Sequence, residues 1–200
     1  MLLQDKLKNY RLILASASPR RRELLADCDL EFTLAEKFEC EECYPADLAA
    51  EKVAEYLSQL KSNAYPHALG EGDILLTADT VVILGDKILG KPHSEEEARE
   101  MISTLSGAKH KVVTGVTLRT ADRTVSFSAE SLVSFRELEA EEVNYYVEKY
   151  RPMDKAGAYG IQEWIGYIGI EGIEGSFYNV MGLPTQRLYT ALKEIIKLQQ

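Results

Sequence analysis

The stretch Ile74-Leu75-Leu76-Thr77-Ala78-Asp79-Thr80-Val81-Val82-Ile83-Leu84 carries the strongest strand signal of the chain. Aliphatic and β-branched side chains on both sides of its middle predict a central strand that is buried on both faces. Gly85-Asp86-Lys87 then predicts the turn of a hairpin that returns through Ile88 and Leu89. Helical and strand patterns alternate on either side of this hairpin, so we expect an α/β or α+β fold with a mixed sheet.

The elements around this strand are predicted from apolar periodicity and from helix start signals. Before it we expect strands at 12–15 and 31–34, and helices at about 19–28 and 47–65. After it we expect helices at 94–105, 139–150 and 184–198, and strands at 111–120, 124–135 and 167–170. Ser94 followed by Glu97 has the pattern of a capping box, and Ser18 before Pro19 has that of a helix N-cap.

The acidic balance of the chain limits what it binds. Its 200 residues contain 23 Lys and Arg against 32 Asp and Glu, which is a net charge of −9. This excludes a large nucleic-acid surface, which needs a basic face, but it leaves room for a local basic pocket that holds a small polyanion. Because no linker interrupts the pattern, residues 1–200 are predicted to form a single domain.

The same sequence favours a cytoplasmic protein that does not contact membranes. Its apolar runs are too short to span a bilayer, and its N-terminus lacks the pattern of a signal peptide. Cys40 and Cys43 enclose Glu41 and Glu42, whose charges oppose thiolate formation, and no second ligand pair completes a zinc site. We therefore interpret this cysteine spacing as chance. The histidines are scattered and are expected at the surface or in loops: His67, His93 and His110.

Arg20, Arg21 and Arg22 break the usual charge rule of a helix start. A helix N-terminus favours anionic side chains, and three arginines have the wrong sign. Together with the free backbone N–H groups of a helix start, their guanidinium groups would form a clamp for a polyphosphate. The alternative is that the arginines extend into solvent and pair with acids such as Glu23 and Asp27.

Asp79 is the second exception, because it lies in the middle of an apolar run. Carboxylates are rarely buried unless they are paired or bind a cation. The position therefore indicates a general base or a metal ligand. The alternative interpretation is an edge bulge, or a structural cap on a neighbouring turn.

Two further polar side chains stand in stretches rich in glycine. Gly85, Gly90 and Lys91 have the spacing of a phosphate-binding P-loop, but Pro92 replaces the hydroxyl residue of that motif, so we reject it. Lys91 could still reach a phosphate as a single cation. Gln162 follows a run of small residues that lets a backbone approach a ligand, and its amide could read the edge of a base.

Six short motifs follow one another along the chain. They are Ser16-Ala17-Ser18-Pro19-Arg20-Arg21, Ala78-Asp79-Thr80-Val81-Val82, Gly90-Lys91-Pro92, His110-Lys111-Val112-Val113-Thr114-Gly115-Val116, Asp154-Lys155-Ala156-Gly157-Ala158-Tyr159-Gly160-Ile161-Gln162 and Gly175-Ser176-Phe177-Tyr178-Asn179-Val180-Met181-Gly182-Leu183-Pro184. In this order they resemble the Maf family of nucleoside triphosphate pyrophosphatases, over about residues 12–188. Each motif alone is weak evidence for the family, whereas six motifs in the same order are highly specific for it.

The resemblance implies hydrolysis of the α–β phosphoanhydride of a nucleotide, and a divalent metal cation, Mg²⁺ or Mn²⁺, as cofactor. Asp79 falls on the proton acceptor of the family, and Glu42 falls on the acid of a loop that binds the metal or positions water. Glu42 and Asp79 are therefore the expected catalytic residues and the expected metal ligands. The positions that handle substrate phosphates are Ser16, Arg20, Arg21, Lys61 and Lys91.

Three positions indicate the subclass. The branch of the family that acts on dTTP and UTP carries Arg, Thr and Gln, and these are here Arg20, Thr80 and Gln162. The alternatives are a pyrophosphatase for modified nucleotides, such as 7-methyl-GTP, and a nucleotide-binding regulator of septum formation. The resemblance also implies a twisted mixed central sheet whose flanking helices form two lobes around a cleft, and a homodimer is common among such proteins.

Overall fold

Seven strands form one mixed sheet in the computed structural model, which describes residues 2–198. They are β1 (Arg11–Leu14), β2 (Thr33–Leu34), β3 (Asp73–Leu84), β4 (Lys87–Leu89), β5 (Lys109–Arg119), β6 (Thr124–Phe135) and β7 (Ile170–Glu174). The order along the sheet is β2-β1-β3-β5-β6-β7, with β4 paired to β3. Strand β1 is parallel to β2 and β3, whereas β4 is antiparallel to β3 and β7 to β6. The predictions of a mixed sheet, of β3 as an interior strand and of the hairpin after it are confirmed.

Helices separate the strands up to β3, and after it they separate the β3–β4 and β5–β6 pairs of consecutive strands. They are α1 (Leu3–Leu7), α2 (Pro19–Asp27), α3 (Ala50–Ala64), α4 (Glu95–Leu105), α5 (Ala140–Tyr150), α6 (Trp164–Gly169), α7 (Phe177–Met181) and α8 (Thr185–Leu198), with a 3-10 turn at Ala156–Ala158. Apolar periodicity and helix start signals predict the longer helices α2, α3, α4, α5 and α8, but not the short helices α1, α6 and α7. Within residues 2–198, no helix is both long and apolar enough to cross a membrane.

The segment after Gln162 differs from the prediction. A strand was expected at 167–170, but α6 occupies most of this range and β7 begins only at Ile170. The reason is a close backbone approach: a Cβ atom on Gly166 would lie 1.8 Å from the carbonyl oxygen of Ile161. Glycine at this position therefore permits a tight helical turn that the apolar pattern alone does not reveal.

His110 is buried, so the expectation of a surface or loop position is wrong for this residue. It lies in β5 and is 2% exposed, and its Nε2 is 2.7 Å from the hydroxyl oxygen of Tyr159. Burial lowers the pKa of His110 to about 4, so the ring is neutral at pH 7. It is buried because β5 lies between β3 and β6 inside the sheet. His67 and His93 are exposed, as expected.

The chain forms two compact units, each with its own core. The first contains the described residues of 1–79, 114–129 and 182–200, and its buried apolar side chains come mainly from β1, α2, α3, β3 and α8. The second contains residues 80–113 and 130–181, with a core that includes Val82, Ile102, Phe135, Tyr146 and Tyr159. The single domain over residues 1–200 stays a prediction.

Candidate active site

The start of α2 positions the arginine segment in the first unit. Pro19 occupies the first helical position, where its missing N–H removes no helical hydrogen bond. Ser18 is the N-cap residue as predicted, but its side chain does not cap; instead its N–H donates to Ser16 Oγ at 3.3 Å. Because no acidic residue lies in the first turn, nothing there offsets the partial positive charge of the helix N-terminus.

Arg21 is buried and is built into the first unit. Its Nε donates to the carbonyl oxygen of Gly182 at 2.8 Å, and its Nη1 donates to Ser16 Oγ at 3.0 Å. Burial lowers the pKa of the Arg21 guanidinium, and attraction by Asp79 and Glu42 opposes this shift. The side chain stays charged, since arginine is not deprotonated in proteins. Two carboxylates on other segments therefore act electrostatically on the same guanidinium.

The three consecutive arginines have three different environments. Arg21 is buried, Arg20 is half-buried and Arg22 is exposed. The interpretation that all of them extend into solvent is wrong for Arg21. For Arg22, exposure agrees with that interpretation.

Lys61 joins the two predicted catalytic carboxylates. Its Nζ donates to Asp79 Oδ1 at 2.6 Å and lies 3.0 Å from Glu42 Oε2. The side chains of Lys61 and Asp79 are only 16% and 14% exposed, whereas that of Glu42 is half exposed. Asp79 is thus an ion-paired carboxylate in the interior of the sheet with a small solvent-accessible fraction.

The position of Lys61 follows from how closely α3 packs against the sheet. A Cβ on Gly115 of β5 would lie 2.3 Å from backbone atoms of Ala54, so glycine is required for this approach. Hydroxyl groups complete the contact: Thr77 Oγ1 donates to the carbonyl oxygen of Ser58 at 2.7 Å, and the Ser58 and Thr117 hydroxyls are 2.8 Å apart. These bonds satisfy buried polar groups between α3 and the strands.

The remaining predicted site residues lie in the second unit. Thr80 directly follows Asp79 in β3 and is half-buried, while Lys91 is exposed just after β4. The carbonyl oxygen of Gly90 accepts a bond from the N–H of Gly157 at 3.0 Å, so the segment that carries Lys91 is bonded to the segment that leads to Gln162. Gln162 is half-buried.

The sequence does not predict two polar features of the loop that contains Gln162. The carbonyl oxygen Oε1 of Gln162 is buried and has no hydrogen-bond partner among the described residues. Lys155 is 7% exposed, and its Nζ lies 2.8 Å from Asp154 Oδ1 and 3.0 Å from Glu163 Oε1. A lysine among small apolar residues, with an acid eight positions later, is the signal that points to this buried pair.

The acidic side chains near Lys61 form a pair and not a larger cluster. Among residues 2–198, no group of three or more His, Cys, Asp or Glu side chains has the arrangement of a metal site. Glu42 and Asp79 nevertheless both lie within 3.0 Å of one nitrogen atom. Two carboxylates suit an ion such as Mg²⁺, which is usually held by one or two carboxylates together with substrate phosphates.

Two proteins that share about half of their residues with this chain carry the same name. The chain is 52% identical over 189 residues to a protein of Bacteroides thetaiotaomicron named dTTP/UTP pyrophosphatase, with 94% of this chain and 98% of that protein covered. It is 53% identical to a protein of the same name from Porphyromonas gingivalis, covering 95% and 96%. Among solved structures, a HAM1 protein from Coxiella burnetii aligns with a TM-score of 0.47 at 14% identity, over 92% of this chain and 99% of that one.

A family profile gives the broadest match. The profile described as Maf-like protein covers residues 11–195, which includes all six motifs, the whole second unit and most of the first. The prediction of the family from its motifs is confirmed, and the chain belongs to the Maf family.

Proposed function

We propose that the protein hydrolyses dTTP and UTP at the α–β phosphoanhydride, giving a nucleoside monophosphate and pyrophosphate. The observation that carries the chemistry is Asp79, a largely buried carboxylate held at 2.6 Å by Lys61. The substrate class is taken from relatives that share about half of their residues with this chain and are named dTTP/UTP pyrophosphatase.

Asp79 is the proposed proton acceptor. Lys61 binds its Oδ1, which orients the carboxylate and leaves Oδ2 as the oxygen that takes the proton from the attacking water. Water attacks the α-phosphorus in line with the bond to the leaving pyrophosphate. The bond between the α-phosphorus and the bridging oxygen breaks, and the leaving group keeps the electron pair of that bond.

Cationic groups would hold the triphosphate. Arg21 is fixed by its bonds to Ser16 and Gly182, so its guanidinium is oriented before a substrate arrives. Such preorganised charge stabilises the charge that develops in the transition state without further rearrangement. Arg20, Lys61 and Lys91 are the other proposed phosphate-binding cations.

Glu42 is the proposed ligand of a divalent cation that arrives with the nucleotide, and Asp79 is the alternative ligand in the case that Glu42 accepts the proton. When bound, such an ion would neutralise phosphate charge and polarise the scissile phosphoryl group. Lys61 pairs with both carboxylates through one nitrogen atom, and its positive charge offsets part of the repulsion between them.

Base selection is the proposed task of Arg20, Thr80 and Gln162. Uracil and thymine present an N–H donor between two carbonyl acceptors. The buried, unpartnered Oε1 of Gln162 is an acceptor suited to that N–H, and its Nε2 is a donor suited to a neighbouring carbonyl.

A panel of nucleotides tests this proposal. The purified protein is incubated with Mg²⁺ or Mn²⁺ and with dTTP, UTP, CTP, 7-methyl-GTP or ITP, and pyrophosphate release is measured. We expect dTTP and UTP to be the best substrates, and Asp79→Asn to lose activity. The matched control is Asp73→Asn on the same strand, where the buried carboxylate is paired with the exposed Arg11 and not with Lys61. Preference for 7-methyl-GTP would overturn the base assignment, and full activity of Asp79→Asn would overturn the proton acceptor.

We also propose that the enzyme acts in the cytoplasm, as a homodimer of single-domain chains. Cys28, Cys40 and Cys43 are free thiols, which suits a reducing compartment. Light scattering at micromolar concentration tests the dimer. A single transition in urea, detected by fluorescence and circular dichroism together, tests the single domain.

A further inference from the structure

The segment from Asp154 to Gly166 is unusually constrained for a stretch without long helices or strands. Gly157 and Ala158 both have positive φ angles, of 68° and 59°. For alanine this left-handed conformation is unfavourable, and it persists only where the surrounding structure holds it. Such a backbone therefore needs fixed contacts on its neighbours.

Buried polar groups supply these contacts on one side of the segment. The ammonium of Lys155 is paired with the Glu163 carboxylate at 3.0 Å, which joins the two ends of the loop that contains Gln162. The Tyr146 hydroxyl of α5 donates to Glu163 Oε2 and accepts a bond from the N–H of Gly160 at 3.0 Å. Burial, together with the neighbouring Glu163, raises the pKa of Tyr146, so its hydroxyl remains a proton donor at neutral pH.

Two glycines let the loop close around these groups. A Cβ on Gly160 would lie 2.9 Å from the Glu163 side chain and 3.1 Å from that of Lys155. A Cβ on Gly166 would lie 1.8 Å from the carbonyl oxygen of Ile161, the residue directly before Gln162. The backbone on both sides of Gln162 is therefore set by contacts that do not involve the Gln162 side chain.

Gln162 needs such external support if it is to select a base. Its Oε1 has no hydrogen bond within the described part of the chain, so no bond to that atom holds the amide in one orientation. With Oε1 accepting and Nε2 donating, the amide matches uracil. Rotated by half a turn, the same amide matches cytosine, whose ring nitrogen accepts and whose amino group donates.

We propose that Lys155, Glu163 and Tyr146 form a positioning clamp that gives Gln162 its selectivity for uracil and thymine over cytosine. The inference rests on the proposed function, because it assumes that Gln162 reads the base. The three residues need not touch the nucleotide. They act through the backbone of residues 160–163, and loosening them lets the amide adopt the orientation that accepts cytosine.

The test compares kcat/KM for UTP and CTP in the wild type, Glu163→Gln and Tyr146→Phe. Glu163→Gln keeps the shape of the side chain and removes its charge, and Tyr146→Phe removes only the hydroxyl. We expect the UTP-to-CTP ratio to fall about tenfold in the first and at least threefold in the second. Glu174→Gln is the control, because it breaks the exposed Lys109–Glu174 pair of 2.6 Å in the same unit, away from α5 and the loop, and its ratio should equal that of the wild type.

A second readout separates positioning from general damage. Inorganic tripolyphosphate has no base, so its inhibition constant reports phosphate binding alone, and it should stay within twofold of the wild type in both variants. A rise in that constant in step with the loss of selectivity overturns the clamp, as does an unchanged UTP-to-CTP ratio in whichever variant folds. If the wild type prefers UTP and the variants keep its UTP-to-CTP ratio, the clamp is overturned but the proposed function is not. A wild type without preference for UTP overturns both proposals.

Discussion

Replacing Gly115 with alanine tests how the fold positions Lys61. The added Cβ would lie 2.3 Å from the carbonyl carbon and oxygen of Ala54 and from the nitrogen of Glu55, whereas ordinary contacts start at 3.4 Å. All three atoms belong to backbone, so rotation of a side chain cannot relieve the clash. Helix α3 must therefore move away from β5 by about 1 Å, with an overpacking cost of roughly 3 kcal/mol.

This movement reaches the candidate site through α3 itself. Lys61 lies about two helical turns beyond Ala54 and moves with the helix, so its 2.6 Å bond to Asp79 lengthens. A misplacement of about 1 Å can cost on the order of 100-fold in rate. We expect Gly115→Ala to lower kcat by roughly that factor, and to lower Tm by about 6–12 °C for a chain of this size.

Thermal unfolding and pyrophosphate release measure the two effects. Gly172→Ala in β7 is the matched control, because a Cβ at that position meets no atom within 4 Å. It should behave like the wild type. A Gly115→Ala enzyme with the Tm and kcat of this control would refute the reasoning, since the close approach of α3 would then not determine where Lys61 lies.

Two further predictions concern single side chains. Arg21→Met should raise the KM for UTP at least tenfold, because it removes a proposed phosphate-binding cation. It should also lower the unfolding free energy by about 2 kcal/mol, because it leaves the Gly182 carbonyl without its hydrogen bond. The exposed neighbour is the control: Arg22→Met should change the unfolding free energy by less than about 0.5 kcal/mol. Equal effects of the two substitutions on KM would contradict the role of Arg21. The His110 ring binds a proton below about pH 6.5 when unfolded but only below about pH 4 when folded, so stability should fall by up to about 3 kcal/mol as the pH drops through this window. In urea titrations at pH 7 and 4.5, His110→Phe should remove most of that difference, and an unchanged difference would show that His110 is not its source.

Local patterns predicted the parts of the fold that local physics decides. The apolar run around Asp79 identified an interior strand, because few other environments accept so many aliphatic side chains in succession. The wrong sign of charge at the start of α2 drew attention to Arg21, which is buried although arginine usually is not. The carboxylate of Asp79 inside an apolar strand and the arginines at a helix N-terminus each violate a local rule, and functional residues are expected at such violations.

Other features depend on contacts between distant parts of the chain. His110 is flanked by lysines, and its burial follows from the position of β5 inside the sheet. The pairing of Lys61 with Glu42 and Asp79 joins three separate segments, so no spacing in the sequence reveals it. Helix α6 was missed because its formation depends on Gly166 packing against a carbonyl oxygen, and a hydropathy pattern carries no information on such an approach.

Hydrolysis of UTP in water enriched in ¹⁸O is the most direct test of the proposed reaction. Attack at the α-phosphorus places one labelled oxygen in the monophosphate and none in the pyrophosphate, and mass spectrometry of the two products distinguishes them. We predict label in the monophosphate alone, with Asp79→Asn forming neither product at an appreciable rate. Label in the pyrophosphate, or release of inorganic phosphate in place of pyrophosphate, would contradict hydrolysis at the α-phosphorus.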